Sequence, residues 1–226
     1  MIYENTNVGI FEKRPNRFVA EVFIDGKKEI CHVKNTGRCR ELLTKGAKVF
    51  VQKASNPERK TKYDLIAVYK GDVLFNIDSQ APNKVFAEWL IKTDYFGKIT
   101  KIKPECRFGE SRLDFYFEAD GRRTFAEVKG VTLEKDGVFL FPDAPTQRGA
   151  RHLKELCACK EQGYDAYAVF VLQARGAKYF APNCDADPEF FAALKMAKEQ
   201  GVGIIALACS ITPNSLEITD FVEVKI

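Results

Sequence analysis

The sequence predicts a mixed α+β fold, in which a small N-terminal β-barrel precedes an α/β domain built on a mixed sheet. One observation is a series of short strand-like runs in residues 1–80. A second is a β-hairpin pattern around Asp120-Gly121, and a third is the alternation of strand and helix patterns after it. With 226 residues, of which 46% are hydrophobic, the chain is long enough to bury the cores of two small domains.

Residues 1–80 have the pattern of a small barrel. Two strand-like runs flank the turn dipeptide Asp25-Gly26, and the strands predicted in this part are residues 8–13, 17–24, 27–34, 49–53, 63–69 and 73–77. Residues 38–43, which follow the turn-forming Asn35-Thr36-Gly37, are predicted to form one short helix that plugs the barrel. Such an arrangement is typical of an oligonucleotide-binding (OB) fold.

The boundary between the predicted domains falls near residues 81–83, which gives domains 1–81 and 82–226. Asn83 is predicted as the N-cap of a helix over residues 84–93. Beyond the hairpin we predict a strand at 138–141, a helix that opens at 142–145 and reaches Gly163, and a buried strand at 166–172. A further helix at 189–200 and a second buried strand at 203–209 follow. The last stretch, 216–224, either pairs as an edge strand or returns to the first domain.

The hairpin brings two carboxylates face to face. Its strands, residues 113–119 and 122–128, flank Asp120-Gly121, a dipeptide that tolerates the positive φ angles of a two-residue turn. If Ala119 faces Arg122, then Asp114 faces Glu127 at a non-hydrogen-bonded pair, where side chains approach to about 4.5–5.5 Å.

Opposed like charges on a sheet are unfavourable, so this pair predicts either a shared proton or a divalent cation between the two groups. Oxygen ligands favour Mg²⁺ or Mn²⁺. Lys129 lies two residues beyond Glu127, on the same face of the strand, and adds an ammonium group. Together these groups predict a phosphodiesterase site, with Asp114, Glu127 and Lys129 as catalytic residues. The alternative is a solvated hairpin in which Lys129 neutralises Glu127.

Asp114 followed by Glu127-Val128-Lys129 resembles the core motif of the PD-(D/E)XK nuclease superfamily. A narrower resemblance, to the sugar fermentation stimulation protein A family, rests on motifs spread over most of the chain: GESRLDF at 109–115, EVKGVTL at 127–133, FPDAPTQRG at 141–149 with His152, NTGR at 35–38 and RKT at 59–61.

This resemblance implies a DNA-binding protein with a small β-barrel in front of a nuclease-like domain. In the superfamily, a helix before the hairpin often supplies another acidic metal ligand. Glu88 is the candidate here, because it lies about 60° from the apolar Val85 at 100° per helical residue. A solvent-facing Glu88 is the alternative.

The charge distribution points to a polyanionic partner. Residues 1–83 hold 15 Lys and Arg against 10 Asp and Glu, whereas the remaining residues hold 20 against 21. The candidates for phosphate contacts in or beside predicted loops are Arg14, Arg17, Arg38, Arg40, Arg59 and Lys60. Phe18 and Tyr63 are either base-stacking or core residues.

The helix after the hairpin offers further nucleic-acid contacts. Arg148, Arg151 and His152 share one face of it, beside the predicted metal site. We expect the two arginines to hold a phosphate and His152 to support them.

No apolar run approaches the length of a membrane span, so we expect a soluble protein with no membrane partner. The seven cysteines show no paired spacing for zinc and predict reduced thiols in the cytoplasm. The sequence gives no indication of oligomeric state.

The leading hypothesis is a largely sequence-nonspecific DNA-binding protein with a Mg²⁺- or Mn²⁺-dependent nuclease site. The alternative is a non-catalytic DNA-binding regulator of sugar-utilisation genes, of the maltose type, as the family's name implies. RNA remains open as the nucleic acid, because barrels of this kind accept single strands of either type.

Overall fold

Five strands close into a barrel in the first third of the chain, in a computed structural model that describes residues 1–35, 37–56 and 58–226. They are β1 (Thr6–Asn16), β2 (Val19–Ile24), β3 (Lys27–Val33), β4 (Lys48–Lys53) and β5 (Tyr63–Lys70). Neighbouring strands pair antiparallel except β3 and β5, whose parallel pairing closes the ring. A further strand, β6 (Val73–Asn76), pairs with β5 outside the ring. The predicted OB-type barrel is confirmed.

The barrel strands follow the alternation of apolar and polar residues in the sequence. In β2, for example, Ala20, Val22 and Ile24 are buried while the residues between them are half-buried. The connecting Asp25-Gly26 has φ angles of 49° and 75°, as a tight two-residue hairpin turn requires.

Residues 38–43 form a turn, not the predicted helix. The amides of Leu42 and Leu43 both donate to the carbonyl of Cys39, at 3.2 and 2.9 Å. Cys39 has a φ of 45°, which a right-handed helix does not allow. The buried side chains of Cys39 and Leu42 still join the hydrophobic core of the barrel. Thr36, part of the predicted turn before this segment, lies outside the described residues.

The rest of the chain alternates strands and helices. In chain order these are α1 (Ala81–Lys92), β7 (Ile99–Phe108), β8 (Ser111–Ala119), β9 (Arg122–Val131), β10 (Leu133–Lys135), β11 (Val138–Phe141), α2 (Gln147–Glu161), β12 (Asp165–Leu172), β13 (Tyr179–Pro182), α3 (Pro188–Glu199), β14 (Gly203–Thr212) and β15 (Ser215–Val222).

A mixed sheet organises this second part, in the strand order β15-β14-β12-β9-β8-β7. The central β9, β12 and β14 run parallel, and β7, β8 and β15 pair antiparallel with their neighbours. The buried runs at 166–172 and 203–209 form the inner strands β12 and β14, as predicted, because inner parallel strands are covered on both faces. A small sheet in the order β10-β11-β13 lies beside it.

Two of the three helices begin at side-chain caps. Thr146 Oγ1 accepts a hydrogen bond from Gly149 N at the start of α2, and an Asp187 carboxylate oxygen accepts one from Phe190 N at the start of α3. Asn83 is not the predicted N-cap of α1, because that helix begins two residues earlier, after Gln80. None of the helices in the described parts of the chain is long and apolar enough to cross a bilayer.

Buried amide groups tie the barrel to the mixed sheet. Gln173, which follows β12, donates to Asn76 Oδ1 at 2.9 Å and to the Asp78 carbonyl at 3.1 Å. Asn76 in turn donates to the hydroxyl of Tyr3 at 2.9 Å. Because buried amides left without partners are costly, this network fixes how the barrel sits on the sheet.

Asp64 gathers cationic groups on the barrel. The guanidinium of Arg59 donates to both of its carboxylate oxygens, at 2.7 and 3.1 Å, and Lys34 lies 3.3 Å away. Burial by itself raises the pKa of Asp64, but the hydrogen bonds and charges of Arg59 and Lys34 outweigh burial and hold the pKa below its ordinary value.

We predict that Asp64→Asn lowers the free energy of unfolding by about 1.5–3 kcal/mol at pH 7. Because the pKa of Asp64 is lower in the folded state, its contribution is present above the unfolded-state pKa and is lost as the pH falls through the folded-state pKa. Urea denaturation across pH 3–7 measures this, with the exposed Asp72→Asn as the control. If the difference in the free energy of unfolding between wild type and Asp64→Asn grows as the pH falls, the stabilising role given to the Asp64 carboxylate is contradicted.

Candidate metal site and nucleic-acid interface

The hairpin of β8 and β9 places Asp114 beside Glu127. The register pairs Phe115 with Ala126 and Ala119 with Arg122, so the next position outward sets the two acidic residues opposite each other. Val128 N donates to Asp114 Oδ2 at 2.8 Å, and Asp114 N lies 3.3 Å from Glu127 Oε2. We call Asp114 and Glu127 the carboxylate pair.

Burial acts on both carboxylates of the pair, but their neighbours shift the two pKa values in opposite directions. Burial, followed by the nearby charge of Glu127, raises the pKa of Asp114 above its ordinary value. Burial also acts to raise the pKa of Glu127, but its hydrogen bond with His152 and the charge of Lys129 outweigh it, and the pKa of Glu127 is lowered. The charged form is therefore favoured at Glu127, whereas at Asp114 burial and the charge of Glu127 outweigh the hydrogen bonds from Asn83 and Val128 and the charge of Lys129.

Two cationic or potentially cationic side chains meet on one oxygen of Glu127. Lys129 Nζ lies 2.5 Å from Glu127 Oε1, and His152 Nδ1 contacts the same oxygen. His152 comes from α2 and is only 2% exposed, whereas Lys129 reaches the surface of the protein. The site thus has a closed side at His152 and an open side at Lys129.

The start of α1 supplies a further contact to the carboxylate pair. Asn83 Nδ2, in the first turn of α1, donates to Asp114 Oδ1 at 3.0 Å. Gly130, after Lys129, is needed for this close packing. A Cβ at Gly130 would lie 2.4 Å from Gln173 Oε1 and 2.7 Å from Pro82 Cγ.

The structure does not bring Glu88 to the carboxylate pair, where it was predicted as a metal ligand. Its carboxylate lies 2.7 Å from the N-terminal ammonium of Met1. The reason is helical geometry: Asn83 faces Asp114, and Glu88 lies about 140° further around α1 at 100° per residue.

The three predicted contacts on α2 divide between surface and interior. Arg148 and Arg151 are exposed, and Arg148 Nε lies 3.5 Å from His152 Nε2. His152 itself is buried against Glu127 and does not reach the surface. His152 therefore lies behind Glu127 inside the protein, and it is not itself placed to contact nucleic acid.

The predicted barrel contacts also divide into two groups. Arg14 donates to four backbone carbonyls, those of Arg17, Asn35, Gly37 and Arg38, and Arg59 is bound to Asp64. Both guanidinium groups hold loops in place, so they are corrected from phosphate ligands to structural residues. The side chains that remain exposed are Arg17, Arg38, Arg40 and Lys60.

Two cavities adjoin these residues. The first, which we call the groove, has a volume of about 680 Å³ and is lined by basic residues that include Lys13, Arg17, Arg38, Arg40 and Lys45. The second, which we call the cleft, has a volume of about 370 Å³ and lies between the barrel and the mixed sheet. Its walls include Asn35, Gly37 and Ser79 on the barrel side and Lys129, Thr132 and Arg148 on the other.

Sequence reasoning did not identify Asn83 or Gln173 as residues of this region. Gln173 lines the cleft and directly follows the buried strand β12. A polar residue in that position was the one feature of the sequence that could have indicated its role. The sequence around Asn83 indicated only a helix cap, and not a contact with Asp114. Within residues 1–35, 37–56 and 58–226, no group of three or more His, Cys, Asp or Glu side chains is arranged to hold a metal ion.

Two family models match most of the chain, one for each of its two parts. Residues 13–77 match the family model described as "SfsA N-terminal OB domain", and residues 80–215 match "Sugar fermentation stimulation protein RE domain". The chain belongs to the sugar fermentation stimulation protein (SfsA) family. SfsA relatives include the sugar fermentation stimulation protein homologs of Desulfitobacterium hafniense strain Y51, 57% identical, and Clostridium beijerinckii, 52% identical. The matches cover 100% and 99% of this chain, respectively, and 99% of each relative.

A solved SfsA structure has the same fold. SfsA of Pyrococcus furiosus, determined in complex with Ca²⁺, is 30% identical and superposes with a TM-score of 0.88. The match covers 100% of this chain and 98% of that one. The family and the order of barrel and mixed sheet therefore agree with the predictions from the sequence.

We predict that Asp114→Asn stabilises the metal-free protein by about 0.2–1 kcal/mol at pH 7–8, because it removes a like charge from the carboxylate pair. The pKa of Asp114 is raised in the folded state, so wild type and variant become equally stable as the pH falls below the unfolded-state pKa of Asp.

Thermal or urea denaturation in EDTA measures this difference. Asp220→Asn, an exposed substitution on β15, is the control and should leave stability unchanged. A destabilised Asp114→Asn variant at pH 8 would show that Asp114 is already compensated by its hydrogen bonds.

Proposed function

We propose that this SfsA-family protein binds nucleic acid and carries a Mg²⁺- or Mn²⁺-dependent phosphodiesterase site. In this proposal Asp114 and Glu127 hold the cation and Lys129 is the catalytic lysine. The observation that carries the proposal is a buried carboxylate pair whose lysine neighbour lines a cleft beside a basic groove.

The donor set of the carboxylate pair fits Mg²⁺. This ion is usually bound through one or two carboxylates and keeps several waters and substrate phosphates as its other ligands, so a third acidic residue is not required. The raised pKa of Asp114 is the second sign of fit, because a cation would relieve the charge that burial penalises. The Ca²⁺ complex of the Pyrococcus furiosus relative also supports an oxygen-ligand cation site in this family.

Each neighbouring side chain has a distinct role in this proposal. A bound cation supplies Lewis acidity toward a phosphate and lowers the pKa of water. Lys129 places an ammonium group at the mouth of the cleft, where it stabilises negative charge on the reacting phosphate. His152 fixes Glu127 from the closed side, and Asn83 fixes Asp114. Arg148, on the wall of the cleft, is positioned to hold a phosphate.

The nucleic-acid partner follows from the groove. Exposed guanidinium groups of Arg17, Arg38 and Arg40 can form paired hydrogen bonds to phosphates, and such contacts do not depend on base sequence. We therefore propose largely sequence-nonspecific binding of DNA, with RNA as an equal candidate on charge alone. All seven cysteines are free thiols, which suits a protein of the reducing cytoplasm.

A non-catalytic regulator of sugar-utilisation genes is the second candidate, favoured by the family's description. It shares the groove with the first candidate but needs neither a buried carboxylate pair nor a lysine on that pair.

We predict that Asp114→Asn abolishes Mn²⁺ binding and cleavage, because one of two cation ligands loses its charge. Lys129→Ala should retain Mn²⁺ binding but lower the turnover rate about 10²–10³-fold, because the ammonium group acts on the reacting phosphate. Calorimetric titration of Mn²⁺, beside cleavage of labelled DNA and RNA strands, separates the two effects.

Lys195→Ala, which changes an exposed lysine of α3 outside both cavities, is the matched control for Lys129→Ala and should leave cleavage unchanged. A wild-type protein that binds no Mn²⁺ and cleaves no nucleic acid would leave the regulator as the better account.

A further inference from the structure

We infer that the substrate is single-stranded nucleic acid, and that one strand runs from Phe18 along the groove and past Gly37 into the cleft. The cleavage part of this inference rests on the proposed function, but the binding part does not. Three features carry it: the continuity of the two cavities, an exposed aromatic ring at the edge of the groove, and the size of the cleft.

The groove and the cleft meet at the loop between β3 and β4. Gly37 lines both cavities, so the groove and the cleft adjoin at this residue, and a strand that leaves the groove there reaches the cleft by the shortest route. A contact between the barrel and the second part of the chain holds this loop in place. Arg38 N donates to Asp143 Oδ2 at 2.9 Å, and a Cβ at Gly37 would lie 2.9 Å from the same oxygen. A glycine at this position allows the loop to approach Asp143 closely, at the point where the two cavities adjoin.

The groove carries a surplus of positive charge along this path. Arg17, Arg38 and Arg40 are exposed there, and no salt bridge involves any of the three within the described residues. Lys45 is paired with Glu12, at 2.7 Å. The arginines therefore supply the phosphate contacts, and a flexible strand can follow them around the curved barrel.

Phe18 gives the path a preference for unpaired bases. Its ring is 50% exposed, although its backbone is fixed by a bond from Val33 N to the Phe18 carbonyl and another from Phe18 N to Asn16. Arg17, which lines the groove, lies over the ring at 5.7 Å. A rigid exposed aromatic ring stacks on a base only if that base is not stacked inside a duplex.

The cleft is too small for a duplex. A sphere of 370 Å³ is about 9 Å across, whereas the major groove of B-DNA alone is about 12 Å wide. Volumes above about 300 Å³ accommodate small organic ligands, so one nucleotide of an unpaired strand fits. The walls come from both parts of the protein, and the network of Asn76 and Gln173 holds them at a fixed separation.

Fluorescence anisotropy in EDTA tests the binding part, with labelled single-stranded DNA, single-stranded RNA and duplex DNA of equal length. We expect at least tenfold tighter binding of one or both single strands than of the duplex. Phe18→Ala should weaken single-strand binding about tenfold, and Phe18→Tyr should restore it, because the ring face is what stacks.

Phe221→Ala is the matched control. Phe221 is 54% exposed on β15, outside both cavities, and its removal should leave affinity unchanged. Duplex binding as tight as single-strand binding would overturn the inference, as would equal effects of Phe18→Ala and Phe221→Ala.

Cleavage assays with Mn²⁺ distinguish this inference from the proposed function. Tight single-strand binding without any cleavage would contradict the proposed nuclease activity, but it would still support single-strand binding along the groove and the cleft. Cleavage of duplex DNA without cleavage of single strands would contradict the single-stranded substrate, but it would still support the proposed nuclease activity.

Discussion

The structure of the candidate site depends on one unfavourable interaction, the burial of two carboxylates on neighbouring strands. Sheet register alone forces Asp114 and Glu127 together, and no rotation of either strand can separate them without exposing the apolar residues of the hairpin. Burial then makes each negative charge costly, so side chains that donate hydrogen bonds or carry positive charge surround Glu127 and Asp114.

The neighbouring elements each contribute to that arrangement. Helix α2 is fixed to the hairpin where Ser111 Oγ donates to Glu155 at 3.1 Å, and it brings His152 to Glu127. Helix α1 brings Asn83 to Asp114. Among the described residues, no hydrogen bond or ion pair joins the barrel to the carboxylate pair, but the barrel supplies one wall of the cleft and the adjoining groove. In the proposed function, binding therefore belongs to the groove of the barrel and chemistry to the carboxylate pair beside the cleft.

Local sequence patterns were sufficient for much of this account. The Asp-Gly turns set the register of both hairpins, and the register placed Asp114 opposite Glu127. Strand β7 was missed because it is a mostly exposed edge strand that shows no apolar alternation. The positions of Glu88, His152 and Arg14 depend on which distant groups they meet, such as Met1 for Glu88 and Glu127 for His152. Such long-range contacts leave no periodic signal in the sequence.

The most direct test of the carboxylate pair as a cation site is the anomalous diffraction of crystals grown with Mn²⁺. The account predicts a single strong peak about 2 Å from an oxygen of Asp114 and an oxygen of Glu127, and no such peak in crystals of Asp114→Asn. A peak held by other residues, or none at this pair in the wild type at millimolar Mn²⁺, would contradict it.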